Sequence, residues 1–419
     1  MTQDSSRYQV VKTEDLQVGM FVHDVGRKWF KHPWLTNSKL LTSKKEIDRL
    51  REFGITDVVL DLSKGVGPRR VTPEGRPAEE GKPEKIEEVE RRTGVREEEQ
   101  IDRISADEEL PQARETYLQA LGWVRGLVDS FQSGQTINVD RAGSIVEDVL
   151  DSVFRNRDAF VALIKLKEYE RYDVSHHLNS SILAVSFGRH LGFSREQLQI
   201  LGLGALLQDI GKTQLPTWIL NKPGPLTPEE FDIVRSHSYL GAKLLRKSPS
   251  LPSLALKTTL FHHERIDGSG YPKQLSGSQL NPYMIICGLV DVFDAVSANR
   301  IYKKGARPFQ AMQVLFKMRD DKFPSNWVDR FIQCLGIYPV GTIIELNTGE
   351  LGVVVGVNHA QLLRPKIKLV TDSQERPLAR VRTVDLNNES YLEREIRSVR
   401  DPLTTTINPA RYVDPYDSI

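Results

Sequence analysis

A long stretch with the periodicity of helices dominates this chain. From Gln112 to about Tyr338, apolar residues recur at three- and four-residue spacing, as they do between Val139 and Phe154. This period places apolar side chains on one face of each helix, and those faces are buried only when the helices pack together. We therefore expect a mainly α multidomain protein whose largest part is an all-helical domain over residues 111–338.

The sequence on either side of the helical stretch has a different period. Residues 8–64 contain two strand-like runs, VGMFV and ITDVVLDL, and one short helical run, which predict a small α+β module. Residues 65–110 are rich in Pro, Gly and Glu with almost no aromatic residues, which indicates a flexible linker. After Tyr338 the period becomes two, which predicts a small β-meander over residues 339–400 and a disordered tail over residues 401–419.

One helix start is clearly marked by the sequence LTPEEF. Thr227 can cap the helix, Pro228 occupies its first position and Glu230 completes a capping box. The helix that begins here is predicted to carry His237.

Composition excludes several classes of function. The 57 basic and 56 acidic side chains leave a formal net charge of +1, so no overall field favours a nucleic-acid polymer or an anionic membrane. The first residues, MTQDSSRYQV, lack the pattern of a signal peptide, and no window is apolar enough to span a bilayer. The two cysteines, Cys287 and Cys334, are far apart and predict ordinary buried thiols. We expect a soluble, cytoplasmic protein without membrane insertion.

The histidines are concentrated in the helical domain. Six of the nine lie between residues 176 and 263, and five of these six form two doublets and the single His237. Asp209, in LLQDIGK, ends an apolar helix that Gly211 terminates, and Asp291 lies within the apolar helix ICGLVDVFDAV. Burying either carboxylate is costly unless a cation accompanies it. The two doublets are His176-His177 and His262-His263.

Imidazole and carboxylate side chains in such numbers predict a centre of divalent metal ions. These ligands suit iron, manganese or zinc, and a bridging carboxylate can hold two ions about 3.5–4 Å apart. Such a pair lowers the pKa of water toward about 7 and neutralises the charge that develops on a phosphoryl group. The predicted chemistry is therefore hydrolysis of a phosphoester.

Each of these residues also has an ordinary structural interpretation. A lone helical histidine such as His237 is often a satisfied core residue, and Asp291 could simply pair with an arginine. Adjacent residues on a helix point about 100° apart, so one ring of each His doublet is expected to face away from a ligand. The combination of all these residues with the segment HHERIDGSGYP favours the metal centre.

Several segments resemble the HD-GYP family of cyclic di-GMP phosphodiesterases. LLQDIGKTQLP, LNKPGPLTPEEF, HSYLGAKLL, HHERIDGSGYP and DVFDAVSANRIYKK occur in the order and approximate spacing of that family, over about residues 172–338. The N-terminal module, with DLQVGMFV and FKHPWL, resembles a domain of obscure role that often precedes HD-GYP domains. The resemblance implies an all-helical HD-type metal-dependent phosphohydrolase. Its expected reaction is hydrolysis of cyclic di-GMP to pGpG and onward to GMP, in bacterial second-messenger signalling.

The resemblance also implies which residues hold the metals. The expected cofactors are two divalent ions, iron or manganese, bridged by Asp209. Lys212 would contact the substrate phosphate beside them. Because Tyr172 stands where some members have a Glu ligand, we expect two ions and not three. The implied ligands are His176, Gln208, Asp209, His237, His262, His263 and Asp291.

Further residues match the substrate-binding positions of the family. Arg300 and Lys303 match basic residues that hold substrate phosphate, since Arg offers a planar fork and Lys a mobile point charge. Gly270, Tyr271 and Pro272 form the GYP element at the lip of the pocket. Tyr271 could stack on a guanine face, or it could be an aromatic residue packed in a turn.

Position 208 departs from the family pattern, because Gln208 stands where the family has histidine. A neutral amide oxygen is a poorer ligand for these metals than imidazole, so one ion is expected to be weakly held. Loss of even a supporting contact costs about 10–100-fold in affinity or activity. Either the chain is an enzyme with altered metal preference, or it is a receptor or scaffold that binds cyclic di-GMP without hydrolysing it. A neighbouring residue or a water that replaces the missing ligand is a further alternative.

Other partners are less constrained by the sequence. A phosphohydrolase acting on another nucleotide is disfavoured, because the resemblance includes the GYP element and the pair Arg300 and Lys303. The module at residues 8–64 is expected to contact other signalling proteins, and an exposed helix in the linker could support a homodimer.

Overall fold

The computed structural model describes most of the chain. The chain divides into two compact units, residues 1–89 and 90–419. Arg300 and Lys303, which were predicted to bind phosphate, lie outside the described residues. The described residues are 8–24, 39–41, 44–52, 55–62, 64, 102–132, 138–164, 172–297 and 308–413.

The described residues of the first unit form an antiparallel sheet of four strands and one helix. The helix α1 (Lys44–Glu52) contributes Leu50 to a core that it shares with Val58 and Leu60, which alternate along the last strand. This arrangement confirms the predicted α+β module. The strands are β1 (Tyr8–Lys12), β2 (Phe21–Asp24), β3 (Lys39–Leu40) and β4 (Asp57–Asp61), ordered β1-β4-β2-β3.

The second unit is mainly helical, as the periodicity predicts. Its helices before the C-terminal sheet are α2 (Ala106–Gln132), α3 (Val139–Arg155), α4 (Arg157–Ile164), α5 (Tyr172–His190), α6 (Arg195–Leu207), α7 (Thr217–Leu220), α8 (Pro228–Arg235), α9 (His237–Leu245), α10 (Ser253–Phe261), α11 (Pro282–Ser297), α12 (Pro308–Lys317) and α13 (Ser325–Leu335).

Helix α5 is the centre of the helical domain. Every residue from Val174 to Arg189 is buried, because α2, α3, α6 and α11 surround it. Close packing against α6 depends on Gly202, where a Cβ atom would lie only 2.6 Å from Val146 and 2.8 Å from Val185. The helix that carries His176 is therefore held rigidly from all sides.

The capped helix start in LTPEEF is confirmed. Thr227 accepts from the backbone N–H of Glu230, and the Glu230 carboxylate accepts from the backbone N–H of Thr227. The prediction that this helix carries His237 is wrong, because α8 ends at Arg235 and His237 opens α9 after a break at Ser236. His237 is therefore the first residue of α9.

The chain continues into a five-stranded antiparallel sheet. The first four strands form the predicted meander, and the fifth returns to pair with the free edge of the first. A turn at Gly349, with φ of 87°, joins the first two strands, as the NTG segment predicts. The strands are β5 (Ile343–Leu346), β6 (Leu351–Gly356), β7 (Lys366–Thr371), β8 (Pro377–Asp385) and β9 (Ile396–Val399).

The predicted boundary between the linker and the helical domain lies too close to the C-terminus. Helix α2 begins at Ala106, within the stretch 65–110 that was expected to be linker. Ser105 caps the helix through reciprocal hydrogen bonds with Glu108, and the buried Glu109 carboxylate accepts from Arg155 at 2.7 Å. This long-range ion pair offsets the cost of burying an acidic residue, which composition alone cannot reveal.

The predicted disordered tail is also partly folded. Residues Pro402–Thr404 form a 3-10 turn, and helix α14 (Ala410–Val413) packs against β6. The tail buries Ile407 and Val413, and Lys368 Nζ donates to the carbonyl of Tyr412 at 2.8 Å. These contacts with the sheet order a segment whose own sequence is polar.

Two predictions from composition can be compared with the structure. Cys287 and Cys334 are buried free thiols, and burial raises the pKa of Cys334 to about 11. None of the described helices combines the length and the apolar character needed to cross a bilayer.

Candidate metal centre

Side chains from distant parts of the helical domain converge on one buried point. His176 comes from α5, Asp209 follows α6, His237 opens α9 and Asp291 lies on α11. Every predicted histidine and aspartate ligand belongs to the cluster. Within each of its two groups the ligand atoms lie within 4.8 Å of one another, and the groups are Asp209, His237, His262, His263 and His176, Asp209, Asp291.

Asp209 belongs to both groups because its two oxygens face different imidazoles. Oδ1 lies 3.2 Å from Nε2 of His237 and 3.6 Å from Nε2 of His262. Oδ2 lies 3.0 Å from Nε2 of His176 on the other side. This is the arrangement that a carboxylate shared by two cations requires.

The tautomers of two histidines follow from their backbone contacts. His237 Nδ1 lies 2.6 Å from the carbonyl of Val234, and His262 Nδ1 lies 2.9 Å from the carbonyl of Thr259. A carbonyl can only accept, so each Nδ1 carries the hydrogen and each Nε2 presents a lone pair. Burial lowers the pKa of His237 and keeps its ring neutral, despite the nearby Asp209 carboxylate.

Lone pairs therefore converge at Asp209 Oδ1 with no hydrogen between them. Oδ1 is buried and makes no hydrogen bond within the described part of the chain, although Nε2 atoms of His237 and His262 lie close to it. Electron-rich atoms packed this way repel one another unless a cation separates them. The donor set thus fits a divalent metal ion.

His176 is oriented by a carboxylate that the sequence reasoning did not identify. Asp294 Oδ2 accepts from His176 Nδ1 at 2.7 Å, which turns Nε2 toward Asp209. Asn179 donates to Asp294 Oδ1 at 3.3 Å, and Tyr117 donates to Asn179 at 3.0 Å. The sequence could have indicated this role, because Asp294 follows Asp291 by three residues and so lies on the same face of α11 as that predicted ligand.

Asp291 completes the second group. Its Oδ1 lies 3.5 Å from His176 Nε2, and its Oδ2 lies 3.7 Å from His263 Nδ1. Burial alone would raise the pKa of Asp291, but the neighbouring imidazoles of His176 and His263 hold it well below the usual value. The carboxylate is therefore ionised, and Asp291 does not pair with an arginine among the described contacts.

Lys212 lies beside Asp209. Its ammonium group forms an ion pair with Asp209 Oδ2, and its side chain is 36% exposed. Burial opposes ionisation of Asp209, but the positive charge of Lys212 holds its pKa well below the usual value. Lys212 thus places a positive charge between the buried cluster and solvent.

The backbone at Gly211 brings Asp209 and Lys212 close to α9. A Cβ atom at Gly211 would overlap the carbonyl oxygen of His237 and would lie 2.5 Å from the backbone nitrogen of Gly241. Only glycine fits this approach of the 3-10 segment Ile210–Gln214 to the helix.

Gln208 is fully buried next to Asp209. Its Nε2 donates to Ser180 Oγ at 3.2 Å, whereas its Oε1 makes no hydrogen bond within the described ranges. The amide oxygen is therefore the atom of Gln208 that remains available to accept a hydrogen bond or to bind a metal ion.

The two His doublets behave differently. His177 faces away from the ligand groups, because its Nδ1 donates to the carbonyl of Leu206 at 2.8 Å, and burial lowers its pKa to about 4. The same expectation is wrong for His262 and His263, which both join the cluster. Helix α10 ends at Phe261, so the angle between successive helical residues does not apply there.

The GYP element folds over His263. The ring of Tyr271 stacks on that of His263, with centroids 4.5 Å apart and planes at 24°. A Cβ atom at Gly270 would lie 2.5 Å from the carbonyl oxygen of His263, so the loop can approach this closely only with glycine. Pro272 is exposed at the rim. The buried carboxylate of Glu264 holds the loop by accepting from backbone N–H groups at 2.6 and 2.9 Å.

Family models match three parts of the chain. A model described as HD domain matches residues 159–326, which contain the whole cluster. A domain of unknown function, DUF3391, matches residues 8–142 and so continues past the predicted module 8–64 into α3. A KOW domain associated with HD domain matches residues 343–393, in the C-terminal sheet.

Known proteins resemble all or part of the chain. It is 30% identical over 393 residues to a cyclic di-GMP phosphodiesterase of Pseudomonas aeruginosa, which covers 92% of this chain and 90% of the relative. A cyclic di-GMP phosphodiesterase response regulator of Xanthomonas campestris is 33% identical over 181 residues, covering 43% of this chain and 48% of the relative. An HDG"Y"P protein from Bdellovibrio bacteriovorus has a solved structure that covers 77% of this chain and 98% of its own, with 16% identity and a TM-score of 0.45. The chain belongs to the HD-GYP family of cyclic di-GMP phosphodiesterases.

Proposed function

We propose that this chain is a metal-dependent phosphodiesterase that hydrolyses cyclic di-GMP to pGpG and onward to GMP. The observation that carries this proposal is the position of Asp209, whose two oxygens face different sets of imidazoles. One carboxylate can then be shared by two ions, as two-metal hydrolysis of phosphoesters requires.

The residues of the cluster would hold two divalent ions, iron or manganese. Asp209 would contact both ions, with His237 and His262 on one side and His176 and Asp291 on the other. When bound, such ions supply a hydroxide nucleophile at neutral pH and neutralise the charge that develops on the phosphoryl group. Support for this assignment comes from the lone pairs at Asp209 Oδ1, which have no hydrogen between them.

Protein side chains would position the substrate around the ions. Lys212 reaches from the cluster toward solvent and would pair with a nonbridging phosphate oxygen. Arg300 and Lys303 are proposed to hold substrate phosphate as well. Tyr271, stacked on His263, would close one side of the pocket, with Gly270 allowing its loop to approach.

Gln208 supports a second candidate function, that of a receptor which binds cyclic di-GMP without hydrolysing it. The residue is buried, its amide nitrogen is bonded to Ser180, and its amide oxygen is a weaker metal ligand than the imidazole of the family. If one ion is lost for this reason, the pocket keeps Lys212 and Tyr271 but lacks half of the two-metal centre.

Turnover by the purified protein separates the two candidates. The protein is loaded anaerobically with iron(II) or with manganese(II), its metal content is measured, and products from cyclic di-GMP are resolved by chromatography. We expect pGpG and GMP from the natural sequence and none from Asp209→Ala, which retains its fold. Product from Asp209→Ala would reject the mechanism.

The Gln208→His variant tests the receptor directly. Tight binding of cyclic di-GMP without product, together with hydrolysis restored by Gln208→His, would establish a receptor. A preference for a different nucleotide in a substrate panel would reject both candidates.

A further inference from the structure

An aromatic residue and an arginine share the outer face of α8, next to the metal centre. Phe231 and Arg235 are four residues apart, so their side chains lie on one face of the helix. The Phe231 side chain is 41% exposed and that of Arg235 is 44% exposed. The helix ends two residues before the ligand His237, so this face adjoins the cluster.

These side chains form a series of stacked groups that ends at a metal ligand. The Arg235 guanidinium lies 4.5 Å from the ring centre of Phe231 and 5.4 Å from that of Tyr271. Phe231 meets Tyr271 edge to face, with ring centres 6.4 Å apart. Tyr271 in turn stacks on His263 at 4.5 Å. The series therefore leads from solvent to the cluster over two ring contacts.

Most of the hydrogen-bonding capacity of Arg235 is unused. A guanidinium has five N–H donors, and within the described residues that of Arg235 makes one side-chain hydrogen bond, to Asp232 at 3.3 Å. Both members of this pair are exposed, at 44% and 71%, so the contact is weak. The guanidinium packs against both rings and its side chain is 44% exposed, so its remaining donors are accessible to a ligand.

We propose that Phe231 and Arg235 form a guanine-binding site at the entrance of the metal centre. Phe231 stacks on the purine, and the fork of Arg235 donates to O6 and N7 of the same base. This assignment rests on the proposed function, since it takes the ligand to be a guanine dinucleotide whose phosphate is at the cluster.

The chemistry of the two purines explains why such a site selects guanine. Guanine presents two acceptors, O6 and N7, which match two parallel donors of an arginine. Adenine presents an amino group where guanine has O6, so one donor of Arg235 would face another donor. Stacking on Phe231 contributes to the binding of either base, because every base has a π face.

Two variants separate the contributions of the fork and the ring. Arg235→Lys keeps the positive charge but loses the fork, so KM for cyclic di-GMP should rise about tenfold, and the preference over cyclic di-AMP should fall by a similar factor. Phe231→Leu keeps an apolar side chain but loses the ring, so KM for both dinucleotides should rise together. Metal content and kcat for cyclic di-GMP should stay unchanged in both variants.

A matched control is available elsewhere in the same domain. Arg141 stacks over the exposed ring of Trp123 at 3.4 Å, between α3 and α2, and neither side chain contacts the cluster in the described structure. Arg141→Lys should leave the preference for guanine unchanged. An equal loss of preference in Arg141→Lys would overturn the inference.

The outcomes distinguish the inference from the proposed function. Hydrolysis by the natural sequence with an undiminished guanine preference in Arg235→Lys overturns the inference and leaves the proposed function intact. If the natural sequence forms no product, calorimetric titration with cyclic di-GMP and cyclic di-AMP makes the same comparison. Loss of the preference in Arg235→Lys then supports the site, and an unchanged preference overturns it.

Discussion

Asp294 accepts a hydrogen bond from His176 at 2.7 Å and thereby fixes which nitrogen of the imidazole faces Asp209. Both residues are buried, and Asn179 holds the other oxygen of Asp294. The carboxylate acts on the metal centre through the histidine, because it sets the tautomer and the orientation of the ring.

Asp294→Asn should therefore weaken metal binding without unfolding the protein. The amide keeps the shape of the carboxylate but loses its charge, and comparable supporting contacts are worth about 10–100-fold in metal affinity. Competition with a chelator of known affinity measures the change. Asp267→Asn is the control, because Asp267 pairs with Lys322 outside the cluster. Equal affinities for Asp294→Asn and the natural sequence would contradict the role of Asp294.

The second prediction concerns removal of the metal. Without a cation, the lone pairs around Asp209 Oδ1 destabilise the native state, so chelation should lower the free energy of unfolding. A free metal concentration of 100 times Kd stabilises the native state by about 2.7 kcal/mol per site. Denaturant titrations with manganese and with chelator measure this difference.

Asp209→Ala provides the matching variant. It removes the carboxylate shared by both groups, so its free energy of unfolding should no longer respond to manganese. A full response of Asp209→Ala to manganese would place the metal somewhere else.

The third prediction concerns Gly211. A Cβ atom there would overlap backbone atoms of His237, which cannot move as a side chain can. Gly211→Ala should thus cost about 1–3 kcal/mol of unfolding free energy and also reduce metal affinity, because His237 is displaced. Gly126→Ala is the control, since a Cβ atom at this helical position meets nothing within 4 Å.

The control is expected to change stability in the opposite direction. Alanine is favoured over glycine in a helix interior by about 0.5–1 kcal/mol, so Gly126→Ala should be slightly more stable than the natural sequence. Denaturant titration and metal affinity are measured for both variants. If Gly211→Ala retains full stability and metal binding, the close approach at Gly211 is not required.

Much of the metal centre could be predicted from sequence because its ligands differ chemically from their surroundings. Asp209 and Asp291 are carboxylates in apolar helices, and the histidines are clustered, so each is conspicuous without knowledge of the fold. Asp294 was overlooked because its role depends on the rotation of α11 against α5, which brings it to His176. That rotation is set by packing between helices and not by local sequence.

Other errors have a similar physical origin. His262 and His263 both reach the cluster because α10 ends at Phe261, and no glycine or proline marks this end in the sequence. Glu109 and Val413 lie in segments of polar composition but are ordered by contacts with distant residues. Composition reports the tendency of a segment by itself, and these segments are ordered by partners far along the chain.

The last prediction concerns His190, the last residue of α5, which lies at the other end of this helix from the ligand His176. It lines a cavity of about 320 Å³, and its Nδ1 lies 3.5 Å from Arg157 Nη1. Burial lowers the pKa of His190 to about 3, and the charges of Arg157 and Arg330 contribute. The other residues that line the cavity are Asp102, Arg189 and His359.

The direction of the pH effect follows from this lowered pKa. The unfolded chain protonates His190 near pH 6.5, whereas the native state does so only near pH 3. Burying a neutral His190 therefore adds no pH dependence to the free energy of unfolding above pH 6.5. As the pH falls from 6.5 toward 3, it lowers that free energy by at most about 1.4 kcal/mol per pH unit.

His190→Gln keeps an acceptor for Arg157 but cannot be protonated, so its unfolding free energy should fall less steeply between pH 6 and pH 4. Urea titrations at several pH values measure both slopes, and identical slopes would mean that His190 is accessible to protons in the native state.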